Sequence, residues 1–290
     1  MKSYAALSIG VLSISFAAIF IRLAEAPPLV IAAYRMSIAS IILIPITSIK
    51  YASSFKRLPR NDIVLILFSS ISIALHFGLW ISSLSYTSIA SSVVLVTSHP
   101  VFVALISYFL WGERLRKLTI IGIVVALTGV MFINYSGFTI SSRAIFGDLL
   151  ALIASLAMGV YLIIGRQLKD SIDITSYLTI IYTSSAAILL VATIVFGHSF
   201  IGYSHQTYLM LVLIALIPQL IGHSCLNFAV RSMPVTVVSV AILGEPIGAT
   251  LLGFIILDEI PTVNEIVGGF LILSGIFTVI RRKPEHWAIE

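Results

Sequence analysis

Long apolar stretches separated by short polar connections dominate the pattern of the chain. Stretches of about 18 to 24 residues are long enough to cross roughly 30 Å of hydrocarbon as α-helix. Ten of them follow one another, near residues 3–21, 28–49, 63–84, 88–110, 118–135, 147–165, 174–196, 206–229, 234–256 and 262–280. None alternates apolar and polar residues with period two, which argues against a β-barrel. The pattern predicts an all-α integral membrane protein with ten transmembrane helices.

Composition supports this prediction. Of the 290 residues, 59% are hydrophobic and 10% are charged, whereas about a quarter are charged in a typical soluble domain. The loops are too short to hold a soluble domain, so any chemistry is expected inside the bundle. The single cysteine, Cys225, excludes an intrachain disulfide and is interpreted as a core thiol. The first stretch, with Lys2 ahead of it, also resembles a signal peptide, but the repeat described below requires it as a helix.

The positions of the basic residues predict the orientation. With the N-terminus inside, all of the 17 Lys and Arg residues fall in cytoplasmic segments except Arg22, Arg35 and Arg143, in agreement with the positive-inside tendency. The net charge of +5 is therefore mainly a topology signal. The basic residues are scattered over many loops without aromatic residues between them, so we expect no nucleic-acid partner. We expect both termini to be cytoplasmic, in a prokaryotic plasma (inner) membrane.

The chain repeats itself at an offset of 146 residues. The stretch HPVFVALISYFLWGERL begins at His99, and EPIGATLLGFIILDEIP begins at Glu245. The offset aligns these pairs without a gap: Pro100 with Pro246, Glu113 with Glu259, Gly122 with Gly268, and Gly129 with Gly275. Two five-helix halves are predicted, residues 1–136 and 145–283. Because five is odd, the second half must enter the membrane upside down, as an inverted repeat.

The loop charges agree with inversion. The corner after Glu113 carries three basic residues and the corner after Glu259 carries none, as expected if they face opposite sides of the membrane. The paired glycines recur every seven residues and predict close helix packing in both halves. Glu113 and Glu259 themselves are predicted to serve in capping, loop structure or ion pairing at helix ends.

These residues resemble a known family. The features are Pro100 followed by Gly112-Glu113, Glu245-Pro246 followed by Asp258-Glu259, the YTSIASS stretch from Tyr86 to Ser92, and an arginine in the second helix. Together they resemble the drug/metabolite transporter superfamily, EamA-type, over essentially the whole chain. The resemblance implies a central cavity lined mainly by helices 1, 3, 4, 6, 8 and 9, with helices 5 and 10 at the periphery. His99 departs from it, because an apolar residue is more usual there.

Glu245 and Arg35 are ionisable residues inside predicted helices, where a charge costs roughly 2.5 to 3.5 kcal/mol on insertion scales. Glu245 either exchanges protons during transport or forms a permanent hydrogen-bonded or ionic contact. Pro246 after it weakens the helix, which suits a hinge or a polar site. Arg35 binds a substrate carboxylate, pairs with Glu245, or extends to the outer interface and pairs with Glu25. A structural or gating role is the favoured interpretation.

Polar side chains also follow two helices that the repeat makes equivalent. Ser69, Ser72, His76, Trp80 and Ser83 lie along one face of the third helix. The eighth helix carries three more at intervals of four residues: Gln219, His223 and Asn227. Both stripes predict a cavity wall, with interhelical hydrogen bonds as the alternative.

Other candidates come from the repeat and from neighbouring helices. His99 precedes Pro100 as Glu245 precedes Pro246, so titratable groups at two equivalent kinks are predicted to flank the centre. Tyr161 and Ser15 are further candidates for substrate contact.

The sequence predicts a secondary transporter that works by alternating access. No phosphate-binding loop is present, and no cofactor or metal is expected. The alternatives are an intramembrane metal-dependent enzyme using His76, His99 and His223, and a passive channel. One acid, one base, several neutral donors and an indole suit a small zwitterion or an uncharged polar or aromatic metabolite better than a polyphosphate. Amino acids or related compounds are the predicted substrates, with export favoured by the resemblance. The oligomeric state is left open, a monomer being one option.

Overall fold

A computed structural model describes residues 2–50, 58–87, 89–112, 116–133, 141–258 and 260–280. Glu113 and Glu259, the predicted domain limits at 136 and 283, and several cytoplasmic basic residues lie outside these ranges. The helices of the described residues are α1 (Lys2–Leu23), α2 (Pro28–Lys50), α3 (Arg60–Ser83), α4 (Ile89–Val96), α5 (His99–Trp111), α6 (Lys117–Ile133), α7 (Ser142–Gln167), α8 (Ile174–Val195), α9 (His205–Ile214), a π-helix (Ala215–His223), α10 (Ser224–Ser232), α11 (Val235–Ile242), α12 (Glu245–Leu257) and α13 (Val263–Ile280).

These elements form ten transmembrane helices. In the described ranges nine helical stretches are long and apolar enough to cross a membrane, and Lys117–Ile133 is a shorter apolar helix. At the kinks predicted in the fourth and ninth helices, each helix is divided into two, as α4 with α5 and α11 with α12. The eighth contains the π-helix in place of regular α-helix.

The interruptions have a local cause. Pro100 and Pro246 occupy the second positions of α5 and α12, where a missing N–H is tolerated but a helix running through from the preceding turn would lose a hydrogen bond. In the π-helix, Pro218 removes another backbone donor. Mid-membrane breaks of this kind are tolerated where the backbone is buried in protein or lines a cavity.

The helix ends repeat at the predicted offset. Adding 146 to the bounds of α4 and α5 gives the bounds of α11 and α12, residue for residue. The residues that end α5 and α12, Gly112 and Asp258, both adopt a left-handed conformation, with φ of 66° and 54°. The two five-helix halves therefore share one local architecture in these interrupted helices.

The paired glycines establish how the halves are related. A Cβ on Gly129 would lie 2.5 Å from the carbonyl oxygen of Gly268, and a Cβ on Gly122 would lie 2.9 Å from that of Gly275. The helices α6 and α13 thus cross antiparallel through equivalent residues. Such a self-complementary contact is the mark of a two-fold relation, so the halves are inverted repeats. The glycine faces predicted in the two halves therefore pack against each other.

The bundle has two faces, at opposite ends of its helices. The first face carries the start of α1 and α8 and the ends of α2, α7, α10 and α13; the second face is opposite. The sequence predicts that the first face is cytoplasmic. The halves are joined across the bundle by pairing of α2 with α8, α3 with α7, and α1 with the helices around the π-helix. Hydroxyl pairs such as Ser40 with Thr183 and Thr47 with Thr179, each at 2.6 Å, connect α2 to α8.

Candidate functional site

A cavity lies at the centre of the bundle, between the interrupted helices. It is lined by Ile14, Ala17, Arg35, His76, Phe77, Trp80, Val96, Thr97, His99, Met158, His223, Ile242 and Glu245. These residues come from helices 1, 3, 4, 6, 8 and 9 of the ten, with Arg35 added from helix 2. The cavity measures about 30 Å³, and one water needs roughly 10–15 Å³ on this scale. In this conformation the centre therefore has room for roughly two or three waters.

Arg35 is held on two sides and unpaired on a third. Its Nε donates to Oε1 of Gln219 at 2.6 Å, and its guanidinium carbon lies 3.9 Å from the centre of the Phe77 ring. The side chain is 1% exposed, and Nη1 has no hydrogen-bond partner. Glu25 is exposed, and Arg35 does not extend towards it. The interpretation in which Arg35 reaches the outer interface therefore does not fit this geometry.

Glu245 lies at the first turn of α12 and faces the same cavity. It interacts electrostatically with Arg35, yet in the described part of the chain the two form no ion pair and the carboxylate accepts no hydrogen bond. The side chain remains partly exposed. One permanent cation and one carboxyl group therefore share the cavity without neutralising each other through direct contact.

The third helix supplies an aromatic wall. The His76 and Trp80 rings stack with centroids 5.9 Å apart, and Nδ1 of His76 lies 3.0 Å from the carbonyl oxygen of Ala154 on α7. The Trp80 indole N–H is buried without an acceptor. His223 packs edge-on against Phe77, at 5.2 Å between centroids, and its Nδ1 has no partner.

His99 lines the same cavity from the start of α5. Its Nδ1 is 3.4 Å from the carbonyl oxygen of Val96, at the limit of a hydrogen bond, and its Nε2 is unpartnered. The structure therefore brings His99 and Glu245, the two equivalent residues, to one cavity.

Four of the predicted substrate-contact residues do not line the cavity in this conformation. Gln219 stands behind Arg35 and positions it. Nδ2 of Asn227 donates to the hydroxyl of Tyr161 at 2.5 Å, in a group nearer the first face. Ser15 donates to the carbonyl oxygen of Val11 and packs against Gly248 of α12. Their contact with substrate stays a prediction.

Phe77 is the residue that the sequence reasoning missed. It contacts Arg35, His76 and His223 and is 1% exposed. An apolar residue within an apolar helix gives no signal by itself. The repeat did contain a signal, because Phe77 lies 146 residues before His223 and is therefore its equivalent in the other half.

The arrangement can offer donors to an anionic group and an acceptor to a cationic one. The three histidines of the enzyme alternative all line the cavity. No group of three His, Cys, Asp or Glu side chains in the described ranges is placed to hold a metal ion.

Comparison with known proteins places the chain among transporters. Residues 1–135 and 145–281 match the profile of the EamA-like transporter family. An uncharacterized transporter of Clostridium kluyveri is 25% identical over 244 residues, which cover 82% of this chain and 78% of the relative. The transporter YoaV of Bacillus subtilis is 26% identical, covering 89% and 90%. A transporter of Archaeoglobus fulgidus is 24% identical, covering 96% and 98%.

The fold also has a counterpart among solved structures. One crystal structure of a protein superposes with a TM-score of 0.84 over 96% of each chain, at 19% identity. At this identity the likeness concerns the fold alone.

Proposed function

The chain belongs to the EamA-like transporter family, and from this premise we propose that this membrane transporter carries small zwitterions, amino acids above all, by alternating access through the central cavity. The observation that carries the substrate class is the unpaired Nη1 of Arg35, buried beside a cavity that also holds Glu245. A buried donor left without an acceptor costs about 1–3 kcal/mol, and more when charged. A substrate carboxylate supplies that acceptor, and a substrate ammonium group pairs with Glu245.

The composition of the cavity argues against other classes of substrate. Polyphosphates need several Lys or Arg side chains around them, and Arg35 is the one such residue in the cavity lining. The stacked His76 and Trp80 rings suit an apolar or aromatic side chain on the substrate. Export is the favoured direction because of the family resemblance.

The inverted repeat and the size of the cavity support alternating access. A space of about 30 Å³ must enlarge before a metabolite enters. The interruptions between α4 and α5 and between α11 and α12 lie at equivalent positions beside this space. They are the natural hinges, because short irregular segments absorb backbone rotation without breaking long helices. Rocking about them opens the cavity to one face at a time.

Proton coupling through Glu245 is part of the proposal. The titratable and charged groups that line the cavity with it are Arg35, His76, His99 and His223. A proton on Glu245 removes its negative charge and so weakens its attraction for a substrate ammonium group. Binding of proton and substrate at this carboxylate is then mutually exclusive, which is the requirement for exchange.

The test uses purified protein in sealed vesicles with a panel of labelled amino acids, with and without a pH gradient. A zwitterion is expected to be transported, whereas its methyl ester and its deaminated acid, which each lack one charge, are expected to be poor substrates. Equal transport of all three forms would contradict recognition of a zwitterion.

The coupling is tested separately by Glu245→Gln, which keeps the size of the side chain and removes its charge. The pH dependence of flux is expected to disappear. The matched control is Glu265→Gln, because Glu265 lies outside the central cavity at the exposed start of α13. Unchanged pH dependence in Glu245→Gln would remove this residue from the coupling role.

A further inference from the structure

A row of buried polar side chains leads from the central cavity towards the first face. It begins behind Arg35, where Gln219 accepts from Nε while its own Nε2 has no partner. It continues through Tyr182, Tyr161, Asn227 and Tyr177, all at most 1% exposed. We call Gln219, Tyr182, Tyr161, Asn227 and Tyr177 the polar seam.

The middle of the polar seam is incompletely bonded. The Tyr182 hydroxyl faces Gln219, Ser224 and Tyr161, but none of them meets it in hydrogen-bond geometry. Tyr161 accepts from Asn227, whose Oδ1 has no donor. Polar groups thus lie side by side here, and direct bonds do not connect them into a continuous chain.

Near the first face, a glycine packs closely against two of the polar groups. A Cβ on Gly165 would lie 3.2 Å from the Tyr177 hydroxyl and 3.3 Å from Oδ1 of Asn227. Beyond it, Arg231 lies over the Tyr177 ring and donates from Nη1 to the carbonyl oxygen of Ile172 at 2.7 Å. The Nε and Nη2 atoms of Arg231 are buried without acceptors.

Four of the five seam positions are apolar in the other half, and the fifth, Tyr161, corresponds to Ser15. The positions 146 residues before Tyr177, Tyr182, Gln219 and Asn227 hold Ile31, Met36, Ile73 and Ile81. All four are apolar and at most 3% exposed. Because the repeat is inverted, these residues occupy the corresponding place towards the second face. One architecture therefore has a polar lining towards one face and an apolar lining towards the other.

Buried water would explain this asymmetry. A buried polar atom without a partner costs about 1–3 kcal/mol, and a buried water bonded to two to four such atoms removes that cost. Gln219, Tyr182 and Asn227 of the polar seam, and Arg231 beyond it, each carry at least one unpaired atom. The apolar positions of the other half offer water no comparable partners.

We propose that the polar seam holds a file of water that connects the central cavity to the first face and delivers protons to Glu245 from that face alone. The water file stands on its own observations, and its proton-carrying role rests on the coupling proposed above. Each water oxygen accepts one proton and releases another to its neighbour, and Glu245 binds the last one. The charged and titratable groups beside the path are Arg35, the three seam tyrosines, Arg231 and Asp173.

Hydroxyl-radical footprinting of the wild-type protein in lipid nanodiscs tests the water file. The radicals form from water, so side chains are oxidised where water reaches them. Tyr161, Tyr177 and Tyr182 are expected to be oxidised severalfold faster than Met36, although a methionine is at least as reactive as a tyrosine. Met158, which lines the cavity, reports whether water reaches the centre. Tyrosines as protected as Met36 would overturn the proposal, whatever the transport assays give.

A second experiment places a methyl group in the proposed water path. Gly165→Ala places a methyl group against the Tyr177 hydroxyl and Asn227, and Gly159→Ala on the same helix is the matched control, because its nearest neighbour would be 3.4 Å away. The first variant is expected to lower Tyr182 oxidation severalfold and the second to leave it unchanged. Equal oxidation of Tyr182 in the two variants would overturn the path.

The proton role is measured in oriented vesicles. Flux is expected to respond to pH on the first face, and Gly165→Ala to weaken that response severalfold relative to Gly159→Ala. A response to pH on the second face alone would overturn delivery from the first. If flux never depends on pH, the proton role falls together with coupling through Glu245, and the footprint still decides the water file.

Discussion

The position of a single guanidinium determines much of the chemistry of the cavity. A charged side chain within a membrane costs several kcal/mol unless it is paired. Arg35 meets that cost with one hydrogen bond to Gln219 and one contact with the face of Phe77. The guanidinium carbon lies over the Phe77 ring while Nε donates to the amide oxygen of Gln219, a combination that a lysine ammonium does not reproduce. The remaining edge of the guanidinium, at Nη1, is left without a hydrogen-bond partner.

Arg35→Lys tests this geometry at constant charge. A lysine cannot stack on Phe77, bond Gln219 and offer a second donor in one plane. Since hydrogen bonds to charged groups contribute about 1.5–3 kcal/mol, the affinity for a transported amino acid is expected to fall roughly ten- to a hundredfold. Equilibrium binding to the purified protein measures it. Arg143→Lys, at an exposed position near the start of α7, is the control, and equal affinities in the two variants would contradict the role.

Among the elements, the helix interruptions were only partly predictable. Pro100 and Pro246 indicate weakened helices, because the missing N–H is visible in the sequence. A complete break also depends on the neighbours that stabilise the residues at each interruption. These residues are Thr97 with Ser98 between α4 and α5, and Leu243 with Gly244 between α11 and α12. Tertiary packing decides this, and an uninterrupted apolar run contains no local end signal for it.

The π-helix was less accessible still. An interval of four residues predicts one face of an α-helix, so Gln219, His223 and Asn227 were expected side by side. The π-helix around Pro218 has more residues in each turn than an α-helix, so residues four apart no longer share one face. His223 enters the cavity, Gln219 stands behind Arg35, and Asn227 bonds Tyr161. Hydrophobic periodicity over nine residues does not separate these two helix types.

The contact between α6 and α13 gives a prediction about helix packing. A Cβ on Gly268 would lie 2.5 Å from the Gly129 carbonyl oxygen, whereas a Cβ on the adjacent Gly269 would meet only Ile247, at 3.9 Å. Overpacking costs about 1–3 kcal/mol, so Gly268→Ala is expected to lower the free energy of unfolding by that order and Gly269→Ala to change it little. Unfolding by detergent titration measures both, and equal effects would contradict the packing.

At the scale of the whole molecule, the arrangement of the helices was predicted mainly from the duplication. Equivalent prolines and glycines at an offset of 146 predicted two inverted halves, and the helix ends repeat at that offset. Membership of the cavity was harder to predict, because it depends on how far each helix is rotated about its axis in the assembled bundle. Hence His99, a departure from the family pattern, lines the cavity, while Tyr161 lies in the polar seam.

Inversion has a consequence that can be measured from outside the membrane. Arg116 and Thr262 are equivalent residues, one just before α6 and the other just before α13, and both are exposed. Because the two-fold relation exchanges the faces of the bundle, single cysteines at these positions are expected to face opposite sides. In a Cys225→Ser background, an impermeant maleimide applied to intact cells should label one of them, and the other only after the membrane is opened.

The orientation prediction makes the result specific. Basic residues cluster on the first face, including Lys117 beside Arg116, so the cysteine at Thr262 is expected to be labelled in intact cells. Labelling of both from one side would contradict the inverted repeat. Labelling of Arg116 in place of Thr262 would keep the repeat and reverse the orientation, so that the polar seam would open to the outside. The direction from which protons reach Glu245 then reverses with it, because the polar seam and the basic loops lie on the same face.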